Sequence, residues 1–158
     1  MRWGTVVASF VAVVMAAALY YAYWPNEERI IRGRLNDIAS IVTVPRDETD
    51  IGRIGRVADL RDYLSPNLHV RFGAQETTSR DEVLGVLAQW KPPDGIKVEF
   101  VDMQVAVDST RQDAASVYLT AKMTGRDSVD AREANVRLSK VDGKWVVTGA
   151  ETRETLTR

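Results

Sequence analysis

From Ile96 onward the chain alternates apolar and polar residues, in runs over 96–108, 114–124, 128–141 and 144–155. A strand turns successive side chains to opposite faces, so four long strands of this kind build a sheet with one apolar face that other elements must cover. The breaks between them, at Asp108 to Asp113, near Gly125 to Asp127 and at Asp142-Gly143, are short and polar, which predicts antiparallel neighbours. In the first run the apolar phase shifts between Phe100 and Val101, and a bulge there would bend the sheet.

The cover has to come from the preceding residues. Asn26 can cap a helix whose first turn carries Glu27 and Glu28, and Ile30, Ile31, Leu35, Ile38, Ile41 and Val42 recur at helical spacing over 27–43. Pro45 stops that helix. Ile51, Ile54, Val57, Leu60 and Leu64 mark a second helix ending before Ser65-Pro66. Leu68, Val70 and Phe72 alternate with His69 and Arg71 in a strand that ends at Gly73. Ser79 and Glu82 form a capping box before a third helix over 80–90, whose Val86, Leu87 and Trp90 are expected in the core with Val117, Leu119 and Val147. The order predicts an α+β domain: a curved antiparallel sheet wrapped around three helices, over residues 26–158.

Residues 1–25 stand apart. Trp3 to Trp24 carry no charge, and a helix of that length rises about 33 Å, enough to cross a hydrocarbon core of about 30 Å. A signal peptide cleaved near Ala16-Ala17-Ala18 is the other reading. The apolar run continues past those alanines, however, and Tyr20, Tyr21, Tyr23 and Trp24 at one end, with Arg2 and Trp3 at the other, look like the interfacial belts of a retained anchor. The expectation is therefore a single-pass protein of the bacterial inner membrane, contacting lipid through residues 3–24, with its domain on the periplasmic side. A literal count of Arg29, Arg32 and Arg34 against Arg2 points the other way.

Setting Arg2 aside leaves 20 of the 21 basic residues against 22 acidic ones, near −2 for the rest of the chain. These charges are interspersed, with no basic stripe for nucleic acid. The absence of cysteine excludes thiolate metal sites, cysteine nucleophiles and disulfides, and a lone histidine with scattered carboxylates suggests neither metal nor cofactor.

With these elements in order, three phrases carry a resemblance: LeuSerProAsnLeuHisValArgPheGly at 64–73, ThrSerArgAspGluValLeu at 78–84 and AspGlyLysTrpValValThrGly at 142–149. The chain resembles the nuclear-transport-factor-2-like superfamily, which implies a cone of curved sheet around helices. That superfold hosts isomerases, hydrolases, cyclases, adaptors and assembly proteins, so the resemblance leaves function open.

Enzymes of the superfamily place an Asp, Tyr or His inside the cone. His69 shares a strand face with Arg71, opposite Leu68, Val70 and Phe72, and so reads as a surface residue. Asp102, between Val101 and Met103, is either a buried base or a polar residue beside the bulge, with Arg137 a conceivable partner. Tyr63, Trp90, Phe100, Asp102 and Tyr118 are the candidate lining of a pocket. With no paired catalytic groups legible, the expectation is a non-catalytic binding or assembly module that docks another membrane-complex protein. The alternative is a cavity enzyme or a carrier of a lipophilic molecule.

Overall fold

The computed structural model describes residues 11–16 and 26–153. Helices α1 (Glu27–Val42) and α2 (Asp50–Leu60) are followed by a 3-10 turn at Arg61–Tyr63, strands β1 (Leu64–Phe72) and β2 (Gln75–Thr77), and helix α3 (Arg80–Gln89). Strands β3 (Lys97–Val107), β4 (Ala114–Thr124), β5 (Val129–Val141) and β6 (Lys144–Thr152) complete the order.

Caps set the helix starts. Asn26 Oδ1 accepts the Glu28 amide at 3.1 Å, and Thr49 Oγ1 accepts that of Gly52 at 3.0 Å. Ser79 Oγ accepts the Glu82 amide at 3.4 Å, while the Glu82 carboxylate takes the Thr77 hydroxyl and not the reciprocal bond of a capping box.

The six strands form one sheet in the order β2-β1-β6-β5-β4-β3. The expected all-antiparallel sheet is corrected in one place, because β1 and β6 run parallel, His69 beside Gly149 and Arg71 beside Glu151. The helical hairpin explains the direction. α1 carries the chain from the end where Glu27 meets Lys140 to the end where Val44 bridges Ile96, and α2 brings it back. β1 therefore starts at the same end as β6. β2 has no counterpart in the sequence reading, being three residues with no room to show a period. The bulge does occur: the β3–β4 register shifts between Val101 and Gln104, with Asp102 at φ 54°. Gly149 on β6 leaves room for Arg137, whose guanidinium would lie 2.7 Å from any added Cβ.

Ile31, Leu35, Leu68, Val117, Leu119, Leu138 and Trp145 fill the space between α1 and the sheet, all at most 2 % exposed. Three apolar positions at helical spacing face outward, Val86 among those expected in the core. Ile51 and Ile54 are 83 % and 66 % exposed, because α2 turns Arg53 and Arg56 inward instead. There Arg56 Nε meets Glu48 Oε1 at 2.6 Å, both side chains about nine-tenths buried, and the pair fixes the helix's rotation. Val86 is 65 % exposed for a reason that defines the open end of the molecule, described below.

Most of the expected anchor, including Arg2, Trp3, Tyr20, Tyr21, Tyr23 and Trp24, lies outside the described residues, as do 154–155 of the last strand. Residues 11–16 are helical, with Val11, Val13, Val14 and Met15 exposed. Among the described residues no helix is long and apolar enough to cross a membrane.

Candidate functional site

The two ends of the sheet differ. At the closed end, Glu27 accepts from Lys140 Nζ and from Trp145 Nε1, both at 2.6 Å, and Arg34 donates to the carbonyls of Trp145 and Asp62, each at 3.1 Å. The Lys140 contact holds the Glu27 carboxyl below the usual carboxylate range, with the Trp145 bond adding to it and desolvation opposing.

At the open end the chain builds a groove of about 900 Å³. α3 contributes Val83, Val86, Leu87 and Trp90, which helical spacing puts on one side, and the last residues of β1 contribute Val70 and Phe72. The β1–β2 hairpin closes a third side, turning at Gly73 in the left-handed region at φ 59°. Apolar side chains form the walls while Gln75, Glu76, Thr77 and Glu82 contribute polar groups. Three of these have partners of their own: Thr77 bonds Glu82, and Glu76 Oε1 lies 3.0 Å from His69 Nε2. The Arg132 guanidinium sits 4.8 Å over the Phe72 ring. Such a groove can bury apolar side chains or a small apolar molecule.

The five residues expected to line one pocket are dispersed. Trp90 lines the groove. Phe100 packs on the inner face of β3 against the core. Tyr63 lies beside α1, where the Arg34 guanidinium covers its ring at 3.8 Å and its hydroxyl is 3.5 Å from Asp37. Asp102 is exposed at the bulge, and Arg137 is engaged over Gly149 on the outer face. Tyr118 is on that outer face too, in a shallow depression of about 430 Å³ with Gln104, Ser116, Asn135 and Arg153. A hydrogen bond to Glu133 raises the Tyr118 pKa, with burial acting in the same direction and Arg153 opposing. His69 is on the outer side of β1, as its alternation predicts.

Sequence reasoning missed Val86 and Phe72 as groove residues by assigning both to buried faces. The available signal was an excess. Val83, Leu84, Val86 and Leu87, with Trp90 at the C-cap, occupy too much of a ten-residue helix for one contact surface to cover. Among the described residues no three His, Asp or Glu side chains converge as metal ligands would.

No protein-family model and no curated protein matches the chain. Solved structures do. A nuclear-transport-factor-2-like protein with a cystatin-like fold from Novosphingobium aromaticivorans superposes with a TM-score of 0.63 at 12 % identity, covering 87 % of this chain and 86 % of that one. The CamKII hub homology domain of Chlamydomonas reinhardtii gives 0.65 at 10 %, covering 82 % and 99 %. A candidate scytalone dehydratase, also from N. aromaticivorans, gives 0.60 at 16 %, covering 84 % and 86 %. The fold is therefore nuclear-transport-factor-2-like. Such distant similarity carries no activity across, and these neighbours include both a hub domain and an enzyme candidate.

Proposed function

We propose that this cone is a membrane-anchored, non-catalytic binding module, held by residues 3–24 at a bacterial inner membrane with its domain on the periplasmic side. In this reading the groove between α3 and the β1–β2 hairpin takes apolar side chains of another membrane-complex protein. The observation that carries it is the pairing of a filled closed end with an exposed apolar groove, Val86 being 65 % and Phe72 45 % exposed. A cavity enzyme would want Asp102 or His69 shielded inside an apolar cavity, and both side chains are on the outside. The exposed valines and methionine of residues 11–16 support the anchor, since apolar side chains all round a helix suit lipid.

The test is a photocrosslinking residue at Val86 in native membranes, with one at Ser116 on the outer face as control. A discrete heteromeric adduct from Val86 alone, abolished by Phe72→Asp, is the expected result. Recovery of a small apolar molecule in the groove, with no protein adduct, would replace this reading with that of a carrier.

A further inference from the structure

The closed end of the cone carries a second surface. Only Pro25 and Asn26 separate Trp24, the last residue of the proposed span, from the first residue of α1. Two residues span at most about 7 Å. The start of α1 is also fixed to the sheet, since Glu27 is bonded to Lys140 and Trp145 on either side of the β5–β6 turn. The Lys140 amide donates to the Asp113 carbonyl at 2.7 Å, so the β3–β4 turn belongs to the same end.

The side chains displayed there are of two kinds. Ile30 and Val141 are exposed apolar residues. Arg29 and Lys144 have no carboxylate partner among the described residues, whereas most acids at this end are engaged: Glu27 with Lys140, Glu28 with Arg32, Asp113 with Arg111, and Asp108 with the amides of Thr110 and Arg111. Among the described residues at this end, Asp142 in the turn and Asp62, whose carbonyl alone meets Arg34, are the acids left without a cation. Apolar side chains flanked by free cations suit the boundary between lipid headgroups and acyl chains, where basic residues meet phosphates and apolar ones enter the layer beneath.

We infer that the closed end rests on the bilayer, with Arg29 and Lys144 on lipid phosphates and Ile30 and Val141 directed into the headgroup layer. This rests on the reading of residues 3–24 as an anchor and adds an orientation to it. α1, 16 residues long, then carries the chain about 24 Å from that surface, and the groove opens away from the membrane. A groove so placed takes its occupant from the aqueous side and not from the lipid.

The chain has no cysteine, so Val141→Cys and Val86→Cys each give a single labelling site in the full chain. Each variant, carrying an environment-sensitive fluorophore, is reconstituted into vesicles of phosphatidylcholine, with or without phosphatidylglycerol, that contain a headgroup-level quencher. The expected result is quenching at position 141 and none at 86. In the vesicles containing phosphatidylglycerol, Arg29→Gln and Lys144→Gln should each lower the docked-to-undocked ratio roughly fivefold. An equal loss in phosphatidylcholine alone overturns the assignment of the two cations. A chain that floats with the vesicles but shows no quenching at 141, or equal quenching at both positions, overturns the orientation and leaves the anchor standing. A chain that does not float with the vesicles overturns the anchor itself, and the orientation with it.

Discussion

The closed and open ends of this molecule are built from the same strands and the same first helix, yet they treat apolar side chains oppositely. At the closed end Trp145 is 1 % exposed, its indole N–H is bonded to Glu27, and α1 lies over it. At the open end Trp90, Phe72 and Val86 line a groove that no other described residue fills. The difference teaches where stability and recognition have been separated. Packing needs neighbours on all sides, and only the closed end has them. The open end retains apolar surface that a partner could bury.

This contrast is most exposed to failure at Trp145. Trp145→Ala should cost about 3–5 kcal/mol in urea denaturation of the full chain in detergent, through lost burial and a cavity. Phe72→Ala should cost less than half of that, and equal losses at the two sites would erase the distinction between the ends.

Glu27→Gln comes next, with an expected cost of about 1.5–3 kcal/mol at neutral pH because a charge-assisted contact is lost. Glu27's pKa is lowered in the folded state, so its contribution is fully present above the ordinary carboxylate value of 4.5 and disappears as the pH falls through the lowered value. Stability of the wild-type chain should therefore decline on acidification below about 4.5, and the variant should lack that part of the decline. Superimposable pH profiles would remove Glu27 from the closed end's stability.

Ile54→Ser sharpens the comparison from outside both ends. Helical periodicity assigns Ile54 to the core and predicts a loss above about 2 kcal/mol, whereas its exposure predicts less than about 0.5 kcal/mol. The smallest effect is expected at His69, whose contact with Glu76 is solvent-exposed. His69→Ala should shift stability by less than about 0.5 kcal/mol and still complement a deletion strain, as should Asp102→Asn, which keeps a residue type tolerant of φ 54°. A folded variant of either, present at wild-type abundance, that fails to complement would favour the enzyme reading.

By itself the sequence determined most elements and many of their ends; the second helix, expected to run through Leu64, stops at Leu60, and Leu64 to Pro66 open β1. Asn26, Thr49 and Ser79 start helices through bonds to amides two or three residues away, and the four long runs become strands with bounds within a few residues of their alternation. Even the bulge beside Asp102 was legible as a change of phase. All of these depend on neighbours close along the chain, which a single sequence displays. Tertiary structure alone decided which apolar faces would be covered, that β1 would lie parallel to β6, and that Trp90 and Phe72 would line one groove while Tyr118 went to the outer face. Periodicity states that a helix has an apolar side; it does not state what arrives to cover it. α2 shows the consequence, since the buried Arg56–Glu48 pair, joining residues from a loop and a helix, rotated Ile51 and Ile54 into solvent. The groove has the same origin, because it exists only where β1 and α3 extend past the side chains that fill the closed end.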